Sequence, residues 1–241
     1  MAYRYATERA DHTDLASGHV LRSAPGHPGF PARLASELFQ RALAHLDAGP
    51  VGLWDPCCGS GHLLAVLGML HRGRLVHVHA SDVDSEAVRI AARNLDLLTA
   101  QGMAEREREL RAQAVEFGRP SFADRAGAAQ RLAARLRAHG GDLPHSACEG
   151  DAFAPSPPQR RVDLVLTDVP YGDLAHWAGA SPAEDEVPEL LRALSAVLAE
   201  RTVLAVTART RRIGLPRGTR ALERVRVGNR AAVLVRAGDI R

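Results

Sequence analysis

Four aspartates set the pattern of this chain. Asp55 ends the apolar run Val51 to Trp54 and is followed by Pro56-Cys57-Cys58-Gly59-Ser60-Gly61. Asp82 ends a second apolar run, 21 residues after Gly61, within Ser81-Asp-Val-Asp84. Asp151 closes Glu149-Gly-Asp151, and Asp168 opens Asp168-Val-Pro-Tyr171 after the run Val162 to Thr167. Glycines after a first strand let the backbone approach a ligand, and the following helix N-terminus offers free N–H groups to its anionic end. A carboxylate at the second strand end can accept both hydrogen bonds from a ribose diol, and a side-chain oxygen at the third can take an adenine amino group. Each acid alone also has a plain structural use: Asp55 and Asp82 as helix caps, Asp151 as a turn residue. Four acids ending four successive strands all face one crevice, where open α/β sheets bind ligands.

The elements around them must therefore alternate, and they do. An amphipathic helix is expected from about Ala32 to His45, with Leu34, Leu38, Leu43 and Leu46 near helical spacing and Gly49-Pro50 ending it. Strand Val51 to Trp54 leads through the glycine turn to a helix from His62 to about Leu70. Strand Leu75 to Ala80 precedes a helix from Ser85 to about Leu98. Short strands follow at His145–Cys148 and Val162 to Thr167, then a helix from about Val187 to Ala199 and a strand from Thr202 to Thr207. Ala221–Val227 and Ala231–Arg236, joined at Gly228-Asn229, read as a hairpin. This order gives an α/β fold with a mostly parallel sheet and one reversed edge strand. Residues 1–50 read as a lead-in with a Pro/Gly elbow (Ala24 to Pro31) and one helix, and 51–241 as the core. The Ala/Arg/Glu-rich stretch Ala100 to Gly140 is a one- or two-helix insertion, not a structureless loop.

Composition narrows the class. The 241 residues are 46% apolar, which suffices for a substantial core. No apolar run approaches the roughly 18 to 20 residues that span a bilayer. The opening MAYRYATERADHTD carries no apolar signal segment, and three cysteines, two adjacent, make no disulfide framework. A cytoplasmic protein without a membrane span is the expectation, with monomer as the default state. All 31 basic residues are arginine. Residues 201–241 hold 11 Arg against 2 acids, whereas residues 1–200 hold 20 Arg against 26 acids. A basic segment on a mildly acidic body is the footprint of a polyanion partner, or else a solvated face.

In this order, Asp-Pro-Cys-Cys-Gly-Ser-Gly, Ser-Asp-Val-Asp, Gly-Asp-Ala-Phe and Asp-Val-Pro-Tyr resemble the motifs of class I S-adenosylmethionine-dependent methyltransferases. The resemblance covers about 51–236 and implies a Rossmann-like, seven-stranded sheet with helices on both faces. Asp-x-Pro-Tyr is similar to the (Asn/Asp)-Pro-Pro-Tyr signature of enzymes that methylate planar nitrogens of nucleic-acid bases or glutamine amides. The lead-in and the DVPYGDLAHW segment resemble ribosomal-RNA guanine methyltransferases that give actinomycetes avilamycin resistance. That implies S-adenosylmethionine as cofactor, a guanine of 23S ribosomal RNA or the large subunit as target, with the ring nitrogen N1 as the expected atom, and a self-protection role.

The resemblance also implies roles by position. Gly59 and Gly61 would pack on the methionine part of the cofactor, with Asp55 beside its amino group and Pro56 and Cys57 lining the turn. Asp82 would hold the ribose, Val83 the adenine face, and Asp151 with Ala152 the adenine amino group. Asp168 and the Val169 carbonyl would accept hydrogens from the target nitrogen, in a loop shaped by Pro170, with Tyr171 stacking on the extruded base. Val169 departs from the signature proline, which is expected to loosen the loop.

Arg209, Arg211 and Arg212 follow the fifth strand on the crevice side and are the best phosphate contacts, ahead of Arg217 and Arg220. Trp177 is a second stacking candidate, with core packing at least as plain a use. Arg106, Arg108 and Arg111, interleaved with Glu105, Glu107 and Glu109, read as an ion-paired solvated helix. Cys57-Cys58 lies away from the target-base loop, which disfavours a thiol nucleophile, and Cys148 is expected to be buried. His77-x-His79 has no companions at metal spacing, so no metal is expected. Three alternatives stand beside methylation of RNA. They are a DNA amino- or glutamine-amide methyltransferase, a non-catalytic RNA-binding module, and a nicotinamide oxidoreductase. The last is opposed by Leu64 where a dinucleotide fingerprint has a small residue.

Overall fold

The computed structural model describes residues 3–16, 18–23, 26–169 and 186–240. In chain order its helices and strands are α1 (Ala32–Leu43), β1 (Val51–Asp55), α2 (His62–Leu70), β2 (Leu75–Asp82), α3 (Ser85–Leu95), α4 (Ala100–Phe117), α5 (Pro120–Ala138), β3 (His145–Glu149), β4 (Leu164–Asp168), α6 (Glu186–Ala196), β5 (Val203–Ala208), β6 (Glu223–Val227) and β7 (Arg230–Arg236). They form a seven-stranded sheet of order β3-β2-β1-β4-β5-β7-β6. Strands β3 to β5 pair in parallel. The reversal comes at the β6–β7 edge, where β7 runs antiparallel to both β5 and β6 and β6 lies outermost.

Alternation of side chains divides two cores across the sheet. Leu164, Leu166, Val203 and Ala205 face one side with α1, α2 and α3; Val165, Leu204 and Val206 face the other, with Leu190, Leu191 and Leu194 of α6. Strands covered on both faces read as unbroken apolar runs, which is why β4 and β5 are buried throughout apart from Asp168. That one break in the run is the residue aimed at the crevice.

Helix α1 buries Leu34, Ala35, Leu38, Phe39 and Ala42, and ends at Leu43 with a turn carrying Leu46. It also fixes the lead-in. Glu37, fully buried, accepts the N–H groups of Arg4 (2.7 Å), Tyr5 and Ala6 (both 2.8 Å), and Arg41 Nε donates to it at 2.7 Å. Leu15, Val20, Leu21 and Phe30 join the core on the α1 side. The lead-in is thus part of the packed body.

The insertion is two helices. Thr99 caps α4 by accepting the Gly102 N–H at 3.1 Å, Gly118 ends it at φ +60°, and Pro120 starts α5. Arg108 and Arg111 make the expected exposed pairs with Glu105 and Glu107. Arg106 pairs with Glu109 (3.1 Å) but is not solvated: its guanidinium is buried and also donates to the carbonyls of Val20 (2.9 Å) and His19 (3.3 Å), so it clamps the lead-in. Cys148 also departs from expectation. It is exposed, because β3 is an edge strand with one face uncovered. Among the described residues no helix is long and apolar enough to cross a membrane.

Candidate active site

The turn after β1 is built on left-handed backbone. Gly59 has φ +49° and Gly61 φ +69°, a region costly for any residue with a Cβ. A Cβ on Gly61 would sit 2.9 Å from the Ala91 backbone of α3, and one on Gly59 would sit 2.7 Å from His27 Nδ1. The turn is tied to the end of β2: Gly59 N–H donates to Asp82 Oδ2 at 2.7 Å, and Cys58 N–H to the Ser81 carbonyl at 3.0 Å. Capping of α3 falls to Asp84, which accepts from Glu86 N (2.9 Å) and Ala87 N (3.3 Å). Asp82, relieved of that task, lines the crevice with Val83 beside it, 60% exposed. Asp151 is exposed and accepts the Phe153 N–H at 2.8 Å, a local turn; Ala152 beside it is buried.

The crevice is strongly acidic. Asp55 is 2% exposed, and burial pushes its carboxyl up to about 7. The Thr167 hydroxyl and the Cys57 N–H (3.2 Å) offset part of this, while the charges of Asp82 and Asp168 add to it. A buried Asp55 flanked by the charges of Asp82 and Asp168 suits a cationic ligand and repels a pyrophosphate. Pro56 and Cys58 are buried and Cys57 nearly so. Burial drives both thiols well above their ordinary range, with Asp55 and Asp82 adding, so neither is a thiolate nucleophile.

The end of β4 carries the second half of the site. Val169 is buried, and its N–H donates to the Thr207 carbonyl at 2.9 Å. Proline has no such donor, so valine here extends the β4–β5 ladder by one residue and fixes the strand end at Val169; the loop expected to be loosened lies outside the described residues. Asp168 Oδ1 accepts a hydrogen bond from Arg230 Nη1, the first residue of β7. The Arg230 guanidinium is itself buried, with its carbon 4.9 Å from the centre of the Phe30 ring. Burial raises the Asp168 carboxyl, and the charges of Arg230 and Arg209 pull it back down. Pro170, Tyr171 and Trp177 lie outside the described residues.

The structure therefore brings Asp55, Gly59, Gly61, Asp82, Val83 and Asp168 to one crevice, with Asp151 and Ala152 after β3. Arg209, Arg211 and Arg212, with Arg217 and Arg220, are exposed on the segment after β5. Of these, Arg209 is near enough to act on Asp168. Other members of the basic segment are used internally: Arg224 donates to the Ile213 carbonyl, Arg236 to that of His45, and Arg230 to Asp168. Sequence reasoning missed Arg230, Phe30 and His27. Their only sequence signal was a lone arginine at the start of an apolar strand and two aromatic rings inside the elbow. Among the described residues no group of three or more His, Cys, Asp or Glu is placed to hold a metal ion.

A family model described as rRNA methyltransferase AviRa matches residues 1–230. The chain belongs to the AviRa rRNA methyltransferase family. It is 52% identical over 245 residues, covering 99% of this chain and 97% of the relative, to the 23S rRNA (guanine(2535)-N(1))-methyltransferase of Streptomyces viridochromogenes. Two solved structures of rRNA methyltransferase AviRa from the same organism share the fold. They have TM-scores of 0.92 and 0.91 at 51% and 52% identity, each match covering all of this chain and 98% of that one. The AviRa family match spans the lead-in as well as the sheet, in keeping with their common core.

Proposed function

We propose that this protein transfers a methyl group from S-adenosylmethionine to N1 of a guanine in 23S ribosomal RNA, and that the modification protects the ribosome against an avilamycin-type antibiotic. The observation that carries the reading is the pairing of an acidic, glycine-bounded crevice with an acceptor, Asp168, at its lip. When bound, S-adenosylmethionine supplies an already activated sulfonium methyl, so no covalent enzyme intermediate is required. The donor set fits that cofactor. Asp55 and its acidic neighbours suit its cationic groups, Gly59 and Gly61 admit close approach of its methionine part, and Pro56 and Cys57 wall the turn. Asp82 would hold the ribose hydroxyls, Val83 an adenine face, and Asp151 with Ala152 its amino group.

The protein's own chemistry is then alignment and proton removal. A guanine N1 attacks well only as its proton leaves, and Asp168 would accept it, with the Val169 carbonyl as a second acceptor. Tyr171, with Pro170 shaping its loop, would stack on the extruded base, and Trp177 is a second stacking candidate; each stacked base contributes about 1–3 kcal/mol. Arg209, Arg211 and Arg212 would bind phosphates. A cytoplasmic monomer acting on rRNA or the large subunit completes the proposal.

The test is transfer of label from methyl-labelled S-adenosylmethionine to purified 23S rRNA and to large subunits, with Asp168→Ala alongside. Label in RNA that the variant loses supports the reading. Label appearing only in DNA or protein would overturn it.

A further inference from the structure

We infer that Arg230 is a positioning residue for the base-side chemistry: it fixes Asp168 from behind as an ionised acceptor with one oxygen turned to the crevice. The inference rests on the methyl-transfer reading above.

Three features of the geometry support it. Arg230 spends its Nη1 on Asp168 Oδ1, and among the described residues Oδ2 has no partner. The carboxylate is thereby held in one orientation, its second oxygen unpaired among the described residues. Next, the guanidinium is only 8% exposed against 28% for the carboxylate, so the cation lies behind and the acid in front. The Phe30 ring, 4.9 Å away, braces the cation from the lead-in. Last, Arg230 begins β7 next to β5, whose Thr207 carbonyl receives the Val169 N–H, so one strand pair fixes both residues that flank Asp168. A surface arginine recruited only for phosphate would not be buried in this way.

The consequence for the reaction is specific. As the N1–H bond breaks, the proton passes to Asp168 Oδ2. The N–H electron pair stays on guanine, shared between N1 and O6, and then forms the bond to the incoming methyl while the carbon–sulfur pair leaves with sulfur. Negative charge therefore collects for a moment on the guanine edge, in front of the acid whose orientation Arg230 fixes. Asp168 must be ionised to begin. Among the described residues the charged groups that face it are Arg230 from β7, Arg209 after β5 and Asp55 from β1. The two arginines favour the carboxylate, and Asp55 opposes it.

The experiment uses the full chain with saturating S-adenosylmethionine and 23S rRNA, and compares wild type with Arg230→Gln, Arg230→Lys and Arg230→Met. It reads kcat and KM for RNA against pH, with cofactor affinity and melting temperature as checks on folding. Losing a charged hydrogen bond should lower kcat about 10–100-fold in Arg230→Gln, with KM for RNA little changed. The acid limb of kcat should move to higher pH by about one unit, because the cation that favours ionised Asp168 is gone. Lysine should return the limb toward its wild-type position. Should glutamine prevent folding, Arg230→Met keeps the packed stem, drops the charge and must show the same limb shift. A limb that stays in place while kcat falls evenly, or a raised KM at unchanged kcat, would overturn the inference. Wild type without transfer would instead overturn the reading on which it rests.

Discussion

Gly59 and Asp82 are joined across 2.7 Å, backbone N–H to carboxylate, so the glycine turn after β1 and the acid that ends β2 form one unit. The turn cannot shift without the acid, and each presets the other for a ligand that touches both. This coupling explains why the cap of α3 is Asp84: a second acid two residues on releases Asp82 for the crevice.

Replacing Asp82 with alanine removes that tie as well as the acceptors for a ribose. Affinity for S-adenosylmethionine, measured by calorimetry, should fall on the order of 10–100-fold, the range for hydrogen bonds to a charged group. Asn, which keeps one acceptor, should lose less. Equal affinity in wild type and the alanine variant would contradict the assignment.

Gly61→Ala forces a Cβ into the left-handed region and to within 2.9 Å of the Ala91 backbone. Strain and overpacking together should cost about 2–4 kcal/mol of stability in denaturant unfolding. Gly59→Ala meets a movable imidazole instead and should cost less.

Asp55 gives a pH signature. Its carboxyl ionises near 3.8 in an unfolded chain and at about 7 in the fold. Between those values the folded state holds more protons, so this group's contribution lowers stability as pH rises through the window and levels off above about 7. Asp55→Asn removes that slope. Its stability relative to wild type should improve between roughly pH 4 and pH 7, by at most about 4 kcal/mol, and change little above that. Cofactor binding should move the other way, since a cationic ligand favours the carboxylate. A constant stability gap across this range would contradict the burial argument.

The alternation, the glycine turn and the strand-end acids were legible because each is local. Apolar runs, turn residues and acids lie within a few positions of one another, and the helix His62–Leu70 and the hairpin turn followed from such patterns. What was not legible is what pairs across long separations. Arg230 lies 62 residues from Asp168, and in sequence it is one of 11 arginines in a basic tail. Only the insertion of β7 between β5 and β6 turns it inward. Phe30 and His27 sit in a Pro/Gly elbow that has no periodicity to assign a face. Cys148 was misplaced for a related reason, since strand order, which decides which strand is an edge, is not written in the strand itself.

The arginines after β5 should act through counterion release. Changing Arg209, Arg211 and Arg212 together to glutamine should weaken 23S rRNA binding and flatten its log–log salt dependence by about two, at about 0.7 per phosphate contact on single-stranded RNA. S-adenosylmethionine affinity should be unchanged. An unaltered salt slope would move the RNA contact to another face.

The central claim is methylation of a guanine at N1, and primer extension tests it most directly, because a methyl group there blocks pairing during reverse transcription. Purified 23S rRNA incubated with the protein and S-adenosylmethionine should give one new stop, immediately 3′ to a guanine. That stop should be absent without cofactor and absent with Asp168→Ala. No stop despite transferred label, or a stop at another base, would contradict the account.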